Sequence, residues 1–99
     1  MLLKKLSEAA GVSGNEAEVR RIIVEEVKRL GLEPIVDVLG NVIAPTHPGG
    51  AGGDGGSRPR VMLAAHMDEA GLIVTYVEKE GFLRFRKVGG IDDRVLPSK

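Results

Sequence analysis

The hydrophobic period of the chain changes once, at Gly31, and that change sets the fold class. Before it, apolar residues recur at helical spacing. After it, they alternate or run together as in strands. Residues 2–10 read as a short helix with Leu2, Leu3 and Leu6 on one side, ended by Gly11. Ser13, Gly14, Asn15 and Glu16 form a capping-box pattern, in which hydroxyl and carboxylate each take an orphan backbone N–H. The helix it opens is expected to run to Leu30 and stop at Gly31. Its core stripe is Val19, Ile22, Ile23, Val27 and Leu30. Glu16–Arg20 and Glu25–Arg29 are (i, i+4) pairs on a solvated face.

Beyond Gly31, residues 34–39 and 42–44 are short β-type runs joined tightly at Gly40 and Asn41. Residues 61–65, Val-Met-Leu-Ala-Ala, are continuously apolar, which predicts a strand buried on both faces of a helix-covered sheet. Residues 71–78 and 82–88 predict a hairpin, with Lys79, Glu80 and Gly81 as its loop and Gly81 in the left-handed position. Leu83 and Phe85 alternate with Arg84 and Arg86, so one face is expected dry and the other wet. A buried strand in a sheet covered by helices points to the α/β class. Its 99 residues allow one small domain or part of a larger one. A compact chain of this length would have a radius of gyration of about 13 Å, too little for the two-walled cleft of a complete large α/β enzyme.

Between the two β regions, residues 45–59 hold three prolines and six glycines, expected to form a flexible linker. The glycines run into Ser57, Arg58 and Pro59 and then a strand, so the loop lacks the Gly-Lys-Ser/Thr and helix of a phosphate cradle. His47 in this loop reads as a solvated side chain.

Composition narrows the chemistry. With no cysteine, disulfides, thiolate zinc sites and cysteine nucleophiles are excluded, and any metal must be held by His, Asp or Glu. Fourteen basic and fourteen acidic residues cancel without a basic stripe, so neither nucleic acid nor an anionic membrane is an expected partner. No apolar run reaches the roughly 18–20 residues of a membrane span, and the N-terminus lacks the pattern of a secretory signal. A cytoplasmic location is the default. Gln is absent, Asn occurs only at Asn15 and Asn41, and 28% of residues are charged, a thermophile tendency.

One constellation carries chemistry: Ala65, His66, Met67, Asp68 and Glu69, where the apolar run ends. Functional groups collect beyond the carboxyl ends of strands in open α/β sheets. His66 and Asp68 are two apart, so on an extended chain they share a face. The carboxylate can accept the N–H of one imidazole nitrogen and leave the other free for a metal. A hydrogen-bonded surface pair is the simpler reading of the same spacing, and a metal site needs three or four ligands. Asp92 and Asp93 read as turn or cap residues. Ser7, Ser13, Ser57 and Ser98 lie in no nucleophile elbow. Tyr76, Phe82 and Phe85 read as sheet packing.

Three stretches together resemble the N-terminal part of the tetrahedral-shell aminopeptidases, the dinuclear metallopeptidases that include deblocking and glutamyl aminopeptidases. They are residues 6–16 (LSEAAGVSGNE), residues 37–44 (DVLGNVIA), and residues 65–74 (AHMDEAGLIV) with the following Gly81–Phe85 hairpin and Gly89-Gly90. The resemblance implies the N-terminal part of a zinc-peptidase-like α/β catalytic domain over residues 1–90, with two helices and then the strands of a mixed sheet. Residues 91–99 resemble the lead-in to an inserted β-rich domain through which the family forms homo-oligomers. It further implies two divalent metal ions, zinc or cobalt, and peptide substrates that lose their N-terminal residues. By position, His66 is similar to a metal ligand and Asp68 to the catalytic carboxylate that orients it. The family's other ligands, bridging carboxylate and general-base glutamate lie further along than Lys99, so the chain alone is expected to be inactive. Two alternatives stand beside this reading: a non-catalytic or truncated module that associates with another chain, and part of a different His-X-Asp metallohydrolase such as a carboxypeptidase or deacylase.

Overall fold

The structure is a computed structural model that describes residues 1–46 and 61–97. Helix α1 (Leu2–Glu8) and helix α2 (Ala17–Arg29) are followed by a minimal hairpin of β1 (Ile35–Val36) and β2 (Val42–Ile43). A longer hairpin of β3 (Gly71–Val77) and β4 (Leu83–Val88) comes next, and then a one-turn 3-10 helix at Asp93–Val95. Both hairpins are antiparallel two-stranded sheets, so the fold is a small α/β arrangement.

The helical half folds largely as its pattern requires. Chain reversal after Glu8 puts Ala9 in an extended conformation, and Ala10 N–H donates to Glu18 of α2 at 3.0 Å. Ala9, Val19 and Ile22 are buried together, with Leu6, Ile23 and Met67 packed around them. The far end of the expected stripe is uncovered, and Leu30 is 76% exposed. Gly31 ends α2 at φ 76°. Its N–H donates to Lys28 O and that of Leu32 to Val27 O, which satisfies two orphan carbonyls of the last turn.

Two local expectations are corrected. The Ser13 hydroxyl does not cap α2, because it is engaged by a residue far along the chain. Glu16 is the N-cap, without a side-chain cap bond, and its carboxylate accepts from Gly14 N–H at 2.5 Å. Of the two ion pairs, Arg20–Glu16 forms at 3.7 Å. Glu25 instead takes Arg21 at 2.8 Å and Arg29 takes Glu26 at 2.7 Å, both on the exposed face of α2.

The β half departs further. Residues 61–65 form no strand, and Leu63 is 93% exposed. An apolar run signals burial only if other strands flank it, and among the described residues none does. The β3–β4 hairpin forms with Gly81 at φ 89° as expected, and Glu78 N–H donates to Phe82 O at 2.8 Å. A bulge between Val74 and Tyr76 shifts the register, so Val74 lies opposite Phe85 and Val77 opposite Leu83. Directly opposed residues share a face. The bulge therefore brings Val74 and Val77, three apart, onto one face with Leu83 and Phe85. That face is apolar but not dry, since all four side chains are exposed.

The radius of gyration is 19.0 Å, well above the roughly 13 Å of a compact chain of this length. The accessible surface is 8644 Å², against about 5,400 Å² for a compact monomer of this mass. Among the described residues, the helices bury a core and the hairpins do not. Most of the expected linker, with His47 and Ser57, and also Ser98, lie outside the described residues.

Candidate functional site

The site is built where the segment after α1 meets the segment before β3. Val12 and Glu69 form an isolated parallel bridge, and Glu69 N–H donates to Gly11 O at 2.7 Å. The approach is close. A Cβ on Gly11 would stand 2.7 Å from Val19 Cγ2 and 3.4 Å from the Met67 carbonyl, so only glycine fits between helix and strap. Met67 faces the helical core on one side of this strap. His66 and Asp68, one residue to either side, stand at its surface.

His66 Nδ1 is 3.0 Å from the Asp68 carbonyl and 3.1 Å from Asp68 Oδ1. Both neighbours are acceptors, so Nδ1 carries a proton, and in the neutral ring Nε2 then has the lone pair. The other carboxylate oxygen, Oδ2, accepts a short hydrogen bond from the Ser13 hydroxyl. That bond is the main reason the Asp68 carboxyl sits below the usual carboxylate range; partial desolvation opposes it and His66 adds to it. The His66 side chain is 86% exposed and that of Asp68 41%. The ring thus points outward from a partly sheltered carboxylate.

Two hollows flank the imidazole. One, of about 210 Å³, has an apolar floor of Leu6, Ala9, Val19, Ile23 and Met67. The other is mixed in character, with Glu16, Arg20, Gly40 and Asn41 on one wall. That wall is held from two directions. Arg20 Nε donates to Gly40 O at 2.8 Å. Asp37 accepts from the backbone N–H groups of Leu39 and Asn41 and from the Asn41 amide, which fixes the β1–β2 turn and lowers the Asp37 pKa.

The donor set offers one directed imidazole nitrogen with an orienting carboxylate. Among the described residues, no group of three or more His, Cys, Asp or Glu comes together. The set therefore fits one ligand of a metal and not a whole site. Asp92 and Asp93 are engaged elsewhere. Asp92 caps the 3-10 turn by accepting from Arg94 N–H at 2.9 Å, and Asp93 pairs with Lys87 at 2.7 Å. No described helix is long and apolar enough to cross a membrane. The sequence reading missed Ser13 as the partner of Asp68. Nothing local signals a bond across 55 positions, and the capping-box pattern gave the hydroxyl another use.

Known proteins match this chain along most of its length. A family model described as M42 glutamyl aminopeptidase matches residues 40–99, and one described as AMPT matches residues 1–23. A putative aminopeptidase of Acetivibrio thermocellus is 49% identical over 90 residues, which is 91% of this chain and 25% of that protein. A lysyl aminopeptidase of Pyrococcus furiosus is 43% identical over 91% of this chain and 24% of its own length. A glutamyl aminopeptidase of Lactococcus lactis is 33% identical over 95% of this chain and 25% of its own. The chain thus spans about a quarter of the length of these relatives. With more than half of its residues under one family model, the chain belongs to the M42 glutamyl aminopeptidase family.

Proposed function

We propose that the chain supplies the first wall of the active site in a metal-dependent aminopeptidase, which removes N-terminal residues from peptides in the cytoplasm as a homo-oligomer. The observation that carries this reading is the pairing of His66 Nδ1 with two acceptors of Asp68, which leaves Nε2 directed outward with a free lone pair. In this reading His66 is a ligand of one of two divalent ions, zinc or cobalt, and Asp68 is the carboxylate that fixes its tautomer. When bound, such a pair supplies a nucleophilic water at neutral pH and polarises the peptide carbonyl. The chain's own part is narrower. It directs one imidazole, holds the orienting carboxylate by a hydrogen bond from Ser13, and floors the site with apolar side chains from α1 and α2. Residues 1–90 belong in this reading to the catalytic domain, and residues 91–99 lead into an inserted β-rich domain.

The names of the relatives support a peptide hydrolase. The test is hydrolysis of aminoacyl p-nitroanilides with added zinc or cobalt. The 99-residue chain is expected to give no turnover. The protein extended to the length of its relatives is expected to be active, and to lose activity by about 10–100-fold in Asp68→Ala. Turnover by the short chain, or an unaffected Asp68→Ala enzyme, would sink the proposal.

A further inference from the structure

We infer that Ser13 is a positioning residue for His66: its hydroxyl holds the Asp68 carboxylate in the one rotation that presents Oδ1 to the imidazole. The inference rests on the reading of His66 as a ligand and adds a residue to it.

The geometry divides the carboxylate cleanly. Oδ2 accepts from Ser13 and Oδ1 faces His66 Nδ1, so the two partners occupy opposite ends of one planar group. An aspartate carboxylate turns about a broad terminal torsion with no deep minimum of its own. A contact at one oxygen therefore decides where the other points. On a carboxylate that is partly exposed, water competes at both oxygens unless one is fixed.

Ser13 is itself well placed for this task. The Val12–Glu69 bridge sets its neighbour against the residue after Asp68. Asn15 N–H donates to Val12 O at 2.7 Å and Gly14 N–H to the Glu16 carboxylate at 2.5 Å, so the turn around Ser13 is closed on both sides. Gly14 adopts φ 86°, which a side chain would resist, and this lets the turn project Ser13 towards the strap. The polar turn thus reaches across to the histidine through a single bond. The imidazole keeps a second acceptor in the Asp68 carbonyl at 3.0 Å, so loss of the hydroxyl is expected to loosen the ring and mix its tautomers rather than release it.

The experiment reads the ring and not peptide hydrolysis, so its failure is distinguishable from failure of the functional reading. Imidazole nitrogen-15 shifts are measured in the metal-free protein, with His47 as the internal reference, for wild type, Ser13→Thr and Ser13→Val. Thr and Val have nearly the same shape and differ in the hydroxyl. Wild type and Ser13→Thr are expected to show His66 with a protonated Nδ1 and an unprotonated Nε2. In Ser13→Val the two ring resonances should move towards one another while those of His47 stay fixed and the helical circular dichroism is kept. Wild-type His66 shifts in Ser13→Val would overturn the proposal. Loss of the fold in either variant would overturn it as well, because Ser13 would then be a fastener of the loop.

Discussion

The α1–α2 unit and the β3–β4 hairpin are held together by different forces. The helices bury Ala9, Val19 and Ile22, and the strap carrying His66 and Asp68 rests on them through Met67. The hairpin has an antiparallel ladder interrupted by one bulge, an apolar face and no buried side chain. An isolated two-stranded hairpin is marginal in water, because ladder hydrogen bonds replace equivalent bonds to solvent. The contrast shows where the candidate site draws its rigidity. It is attached to the region stabilised by packing and not to the region stabilised by pairing.

The largest expected effect breaks the packed side of this contrast. Ile22→Ala empties part of a core of three residues and should cost about 2–5 kcal/mol, read from urea unfolding followed by helical circular dichroism. An unchanged midpoint would mean that the helices do not depend on this cluster. On the hairpin the ordering of backbone and side chain should invert. Gly81→Ala forces a side chain onto φ 89° and should cost about 1–2 kcal/mol. Phe85→Ser, on an exposed face, should change stability by less than about 0.5 kcal/mol. Amide exchange in β3 and β4 relative to α2 measures both, and a Phe85→Ser effect exceeding that of Gly81→Ala would mean the hairpin face is buried in solution.

The smallest effect is a pH response of the β1–β2 turn. Hydrogen bonds from Asn41, side chain first and backbone next, hold Asp37 below its ordinary value. A carboxyl with a lowered folded pKa contributes its stability fully above the unfolded value. That contribution is lost as pH falls through the folded one, here from about pH 4 downward. The amides of Leu39 and Asn41 should therefore lose protection below that pH while α2 does not. Loss beginning near neutrality would exclude Asp37 as its cause.

What was legible in the sequence follows the range of each interaction. α2 and its stop at Gly31, the turn at Gly81 and the cap at Asp92 depend on neighbours a few positions away, and the chain pattern carried them. The contact between His66 and Asp68 was legible for the same reason. The use of Ser13 was not, since two segments must meet before its hydroxyl has the carboxylate to bind. Residues 61–65 failed differently. Their composition speaks of flanking strands, and no local rule says whether this stretch of chain provides them.

The bond between Ser13 and Asp68 has a consequence in time. It joins residues 55 positions apart, whereas Ala10 and Glu18, which tie α1 to α2, are 8 apart. By the logarithmic scaling of loop closure, the longer span costs about 1.7 kcal/mol more to close. Contacts of short span form early, and those of long span wait for them. The helical platform is therefore expected to be in place before Ser13 closes on the Asp68 carboxylate. On the way out of the native state the Ser13 bond is expected to open while α2 is still wound.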